Sequence, residues 1–130
     1  MADKKVDFTV NYKNLSVYDE FNADKLQYPL ILSIPHSGTV FPPEFLKNVR
    51  FDEKILRRNE DLLVDELLRG AIDKGLTALK MNLSRTFVDL NRDRLELDPT
   101  MFYNYPKEKD ILYDKHCRVG LGVIHRINFK

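Results

Sequence analysis

One stretch limits the fold more than any other. Residues 28–34 (YPLILSI) form a near-continuous apolar run that is closed by Pro35 and followed by His36-Ser37-Gly38-Thr39. A short apolar run without polar alternation reads as a strand buried on both faces, the pattern of a sheet covered by helices on either side. Proline cannot donate the next ladder hydrogen bond, so the strand stops at Pro35. The His-Ser-Gly-Thr loop then sits at the carboxyl end of a buried strand, where open α/β sheets bind their ligands.

The rest of the chain alternates in the same style. Pro42-Pro43 suits the opening of a short helical turn continued by 44–48, because proline is tolerated at a first helical position. Asp52 can cap a second helix reaching about Arg58. A third helix is expected over 60–74, with Leu63, Leu67, Leu68, Ala71 and Ile72 at helical spacing and an end near Gly75. Residues 76–83 read as a second strand and 87–90 as a third, with Arg85, Asp89 and Asn91 on one side of an extended chain. Residues 93–116 have no sustained period and form a long irregular excursion. Residues 119–128 close with Gly120 and Gly122 leading into a short strand. Strands alternating with helices point to an α/β sheet. The chain divides into an N-terminal arm, 1–27, whose Phe8, Tyr12, Tyr18 and Phe21 are suited to cover another surface, and an α/β domain, 28–130.

Composition narrows the function. With 21 Lys+Arg against 20 Asp+Glu the net charge is +1, so no global charge draws the chain to nucleic acid or an acidic membrane. The apolar run at 29–35 is far short of the roughly 18 residues a membrane span needs. The single Cys117 cannot make an internal disulfide, which favours a reducing compartment, and a cytoplasmic location is expected.

Three groups of residues could carry chemistry. His36, placed by a buried strand, is a metal ligand when neutral, although a loop histidine bonded to a neighbouring carbonyl is the plainer reading. In NEDLLVDE, Asp61 and Asp65 stand four apart and share a helix face; a capped, solvated helix start explains them unless Asp61 faces His36, in which case the pair could hold a divalent metal. In SRTFVDLNRDR, Arg85, Asn91 and Arg92 could grip a carboxylate, since a guanidinium makes bidentate contacts and an amide holds remaining oxygens. The plain alternative there is an Arg85–Asp89 salt bridge with Arg92 and Arg94 in solvent. The interleaved Asp89, Asp93 and Glu96 would repel a polyanion.

In order, IPHSGT-FPPEF, NEDLLVDELL, SRTFVDLNRD and RVGLGVI resemble the N-formylglutamate amidohydrolase family over 34–124. That family is similar in fold and site to zinc carboxypeptidases and aminoacylases. The resemblance implies a three-layer αβα arrangement with a mostly parallel sheet, of which this chain represents the first strands. It implies hydrolysis of the formamide of N-formylglutamate, or of a similar N-acyl amino acid, in histidine breakdown. His36 matches the first zinc-ligand histidine and Asp61 the acidic second ligand. Asn91 and Arg92 match the pair that grips the substrate carboxylate, and Arg85 a basic position lining the same pocket. Zinc, or another divalent metal, would polarise the formyl carbonyl and lower the pKa of its water towards about 7, while Arg92 positions the glutamate part.

A catalytic zinc site keeps three protein ligands and a water. The family takes its third ligand from a later His-Ser-type motif and its general base from a later glutamate, and this chain reaches Lys130 before either. The resemblance is therefore to a front half. His116 and His125 lie outside the ligand motif, and no motif supports Glu44, Glu60 or Glu66 as the base. A truncated sheet would leave an exposed edge and an apolar patch, so self-association or a separately encoded C-terminal half is expected. The competing class is a non-catalytic carboxylate-binding or interaction module derived from the family.

Overall fold

The structure, a computed structural model, describes residues 16–104 and 111–126. The expected aromatic contacts of Phe8 and Tyr12, the part of the excursion at 105–110 and the end of the last expected strand at 127–128 lie outside the described residues.

The fold is α/β, with a three-stranded mixed sheet in the order β1-β3-β2. β2 (Ile31–Ile34) runs parallel to β3 (Thr77–Met81), with Ile31 opposite Thr77 and Ile34 opposite Lys80. β1 (Tyr18–Phe21) adds an antiparallel partner on the other edge of β3, Tyr18 opposite Met81 and Phe21 opposite Ala78. β2 is shorter than the apolar run around it, because Pro29 and Pro35 bracket it and neither can donate to the ladder, and β3 is shorter than the expected 76–83.

Between β2 and β3 lie α1 (Pro43–Asn48), α2 (Glu53–Leu56), a 3-10 turn (Arg57–Asn59) and α3 (Val64–Asp73). Pro43 occupies the first helical turn of α1, and Asp52 caps α2 by accepting the Lys54 N–H at 3.0 Å. α3 lays Val64, Leu68 and Ile72, spaced four apart, on Phe21, Leu32, Ile34 and Ala78. Ile72, the buried one of the three, contributes about 1.5–3 kcal/mol, and the part-buried Val64 and Leu68 less. The helix is shorter than expected and its buried face is rotated. Leu63 precedes it with φ +67°, and Leu67 is 82% exposed. α3 ends as the sequence suggests: Gly75, at φ +93°, donates to Ile72 O while Leu76 donates to Ala71 O, closing the last turn.

Only one sheet face is covered by a helix among the described residues. On the other, Ile31 is 65% and Leu79 44% exposed, so the apolar run at 28–34 does not mean burial on both sides here. After Pro35 the chain re-enters pairing at Val40, bridged in parallel to Leu83, with Val40 N–H on Asn82 O and Ser84 N–H on Val40 O, both 2.9 Å. The expected strand at 87–90 is instead a series of turns: Phe87 and Val88 both donate to Ser84 O, and Thr86 N–H reaches Ser84 Oγ at 3.3 Å. That serine oxygen offers the backbone a local partner that competes with a ladder. Residues 111–126 hold α4 (Lys115–Arg118), capped by Asp114, and an antiparallel bridge between Leu121 and His125 in place of a strand.

Candidate functional site: a carboxylate–imidazole–guanidinium cluster

The loop after β2 is fastened to the segment before α3 by its backbone. Asp61 N–H donates to His36 O at 3.2 Å, Ser37 Oγ donates to Asp61 O at 3.1 Å and accepts Asp65 N–H at 3.3 Å. A Cβ on Gly38 would lie 2.4 Å from Leu83 O and 2.6 Å from Asn82 O, so only glycine lets the loop pass this close to the end of β3. These contacts bring a histidine and an aspartate 25 residues apart together.

His36 Nδ1 lies 3.1 Å from Asp61 Oδ2, and Nε2 lies 2.7 Å from Asp89 Oδ1. Arg85 spans both carboxylates, NH1 donating to Asp61 Oδ2 at 2.9 Å and NH2 to Asp89 Oδ2 at 2.8 Å. Asp89 is fully buried and also accepts Asn91 N–H at 2.9 Å. The His125 side chain is almost wholly buried; its Nδ1 accepts an N–H of Asn59 at 3.3 Å, and its Nε2 lies 3.5 Å from Asp89 Oδ2, outside hydrogen-bond geometry. Burial alone would raise the Asp89 pKa, but His125, the Asn91 N–H, His36 and Arg85 outweigh it and hold this carboxyl far below the usual range. Asp89 is thus an ionised hub.

The shorter of the two His36 ring contacts is to the buried Asp89 anion. In the neutral form an imidazole has one N–H, and that contact puts it on Nε2. The Nδ1 lone pair then faces Asp61 Oδ2, which already accepts from Arg85 NH1, so a cation held between ring and carboxylate would share the Asp61 carboxylate with that guanidinium. An imidazole and a carboxylate are a donor set suited to zinc, and a carboxylate on the far ring nitrogen is the arrangement that orients a metal-ligating histidine. Among the described residues no third His, Cys, Asp or Glu offers a ligand atom within 4.8 Å of both partners of this pair.

The expected residues separate. His36, Asp61 and Arg85 meet, and the Arg85–Asp89 salt bridge is present as well. Asp65, expected beside Asp61, turns instead to Lys80 Nζ at 2.9 Å because Asp61 lies ahead of α3. Arg92 donates to Leu121 O at 3.1 Å and to Asn91 O, and Asn91 lines a hollow of about 380 Å³ on the open sheet face with Tyr18, Leu79 and Met81. Beside Asp61 and Arg85, a cavity of about 210 Å³ is also lined by Arg58, Asn59, Leu121 and His125. Arg58 has no ion pair among the described residues. Asp89 as a hub, His125 and Arg58 are what reading the sequence missed. The one signal for Asp89 was a carboxylate between the apolar Val88 and Leu90.

The N-formylglutamate amidohydrolase family model matches residues 28–130. No curated protein matches the chain. A solved N-formylglutamate amidohydrolase from Ralstonia eutropha JMP134 is similar with a TM-score of 0.75 and 27% identity, over 85% of this chain and 39% of that one. The chain therefore spans well under half the length of that relative.

Proposed function

Because the chain belongs to the N-formylglutamate amidohydrolase family, we propose that it carries part of a metal-dependent site that hydrolyses the formamide bond of N-formylglutamate or a similar N-acyl amino acid. The observation that carries this reading is the contact of His36 Nδ1 with Asp61 Oδ2 while Asp89 claims Nε2. His36 and Asp61 would hold a divalent metal such as zinc, which when bound supplies Lewis-acid polarisation of an amide carbonyl and activation of water. Asp89 fixes the His36 tautomer and ring orientation. Arg85 balances the two carboxylates and, with Arg58, gives the neighbouring cavity the positive lining that a glutamate carboxylate requires. The resemblance assigns that grip to Asn91 and Arg92, and the two assignments are separable by substitution.

A third metal donor and a general base are not among the described groups that meet at His36 and Asp61. A three-layer, mostly parallel sheet, a cytoplasmic location and a place in histidine breakdown belong to the same proposal. No helix among the described residues is long and apolar enough to cross a membrane.

The test is equilibrium binding of N-formylglutamate with and without zinc, alongside formate release. The proposal expects zinc to tighten binding, Asp61→Ala to remove that effect, and any formate release to disappear with a chelator. Equal binding with and without zinc would favour the carboxylate-binding module instead, and no binding under either condition would overturn both.

A further inference from the structure

A second group of ligand atoms lies away from His36. Glu96, Asp114 and His116 each offer one atom, and the three lie within 4.8 Å of one another. The chain brings them together from the turn that follows Asp93 and from the start of α4. Glu96 Oε1 accepts Asp93 N–H at 2.9 Å, and Asp114 Oδ1 is used as the cap of α4, accepting the N–H groups of His116 and Cys117. Each carboxylate therefore has one oxygen committed to backbone and one left over. The leftover oxygens converge on a single ring nitrogen: Asp114 Oδ2 at 2.6 Å and Glu96 Oε2 at 3.4 Å from His116 Nδ1.

Glu96 supplies a separate observation. The residue is 9% exposed, and its Oε2 is buried with no hydrogen-bond partner. An unpartnered buried carboxylate oxygen is costly. Its nearest basic groups are His116 Nδ1 at 3.4 Å and Arg92 Nε at 4.0 Å, neither in hydrogen-bond geometry. One hydrogen on Nδ1 serves Asp114 and leaves Glu96 unsatisfied, whereas one cation between them serves all three atoms.

We propose that Glu96 Oε2, Asp114 Oδ2 and His116 Nδ1 form a binding site for a divalent transition metal such as zinc, distinct from the His36–Asp61 pair. Two carboxylates and an imidazole are hard-to-borderline donors that suit zinc or manganese. Ligands about 2.1 Å from a tetrahedral ion stand about 3.4 Å apart, close to the Glu96–His116 separation, whereas Asp114 Oδ2, at 2.6 Å from Nδ1, must draw back when the metal replaces the ring hydrogen. Asp114 and His116 are partly exposed, which leaves the fourth position to water. The site ties the 111–118 segment to the turn bearing Glu96, whose carbonyl already accepts Val123 N–H at 2.8 Å, so occupancy stabilises the fold by ordinary linkage.

The test uses chelator-stripped protein titrated with zinc chloride, reading calorimetric stoichiometry and thermal midpoint for wild type, His36→Ala, Glu96→Gln and His116→Asn. The expected result is one zinc equivalent and a metal-induced rise in midpoint retained by His36→Ala. In Glu96→Gln and His116→Asn the affinity of that equivalent falls at least tenfold. A His36→Ala protein that binds no zinc, or Glu96→Gln and His116→Asn proteins that bind as wild type, would overturn it. A readout that needs no substitution at the site is the proton spectrum of the histidine rings, of which the chain has three. Substoichiometric manganese should broaden the His116 resonances in His36→Ala, and unbroadened His116 resonances would contradict the site.

Discussion

His36 Nε2 and Asp89 Oδ1 stand 2.7 Å apart, and Asp89 has no solvent exposure at all. This one contact turns a loop histidine into an oriented one: Nε2 is turned to the buried anion and Nδ1 to Asp61. Removing the charge while keeping the shape isolates that role. Asp89→Asn leaves Arg85 and two imidazoles facing an amide in a buried site, and breaking a buried ionic network of this kind costs about 3–5 kcal/mol. Urea unfolding at neutral pH measures it. A loss under about 1 kcal/mol would contradict the hub.

The same aspartate predicts the response to acid. Its folded-state pKa lies well below the value near 3.9 of an unfolded aspartate. The unfolded chain therefore binds the proton more readily, so the contribution of Asp89 is complete above about pH 4 and fades as the pH falls further. Asp98, whose burial is outweighed by Thr100 and Arg126, is held low in the same sense. Wild type should lose urea resistance steeply below about pH 4, and Asp89→Asn should lose less over the same range. Parallel curves for the two proteins would show that Asp89 is not held ionised.

Gly38→Ala tests how the loop is seated. The added methyl would meet backbone atoms of Asn82 and Leu83 at 2.4–2.6 Å, and backbone cannot swing aside as a side chain can. Overpacking of this kind costs about 1–3 kcal/mol. The expected result is a lower thermal midpoint together with weakened zinc binding, because the His36 loop must move. An unchanged midpoint would contradict the close approach.

Arg58 and Arg92 divide the question of substrate recognition. Arg58 is exposed, unpaired among the described residues and on the cavity beside Asp61. Arg58→Ala should weaken N-formylglutamate binding about tenfold, the loss of roughly 1.4 kcal/mol, with stability changed by no more than about 0.5 kcal/mol. Arg92→Ala, which gives up the bond to Leu121 O, should lower stability more than affinity. Calorimetry and urea unfolding on the two proteins decide it, and the reverse pattern would return the carboxylate grip to Arg92.

The sequence was legible where one local rule dominates. Pro35 ends β2, Asp52 and Gly75 mark helix ends, and the His36 and Asp61 motifs point to residues that do meet. It was less legible where two rules compete. Ser84 Oγ gives its own backbone a partner, so the apolar pattern at 87–90 becomes a turn. Leu63 and Leu67 carry the helical period yet face outward, because α3 starts one residue past Leu63 and packs through Val64, Leu68 and Ile72. The exposure of Ile31 and Leu79 was hidden because an apolar run records what a strand can bury, not what is there to cover it. The roles of Asp89 and His125 depend on a meeting of segments 36 residues apart in sequence, from 89 to 125, that no local pattern announces.

The central claim is that His36 and Asp61 together hold a divalent metal. Its most direct measurement is the zinc bound per chain after chelator treatment and equilibration with zinc chloride, compared between wild type and His36→Ala. The account predicts that His36→Ala binds one zinc fewer than wild type while keeping its far-ultraviolet dichroism. Equal zinc content in the two folded proteins would contradict it.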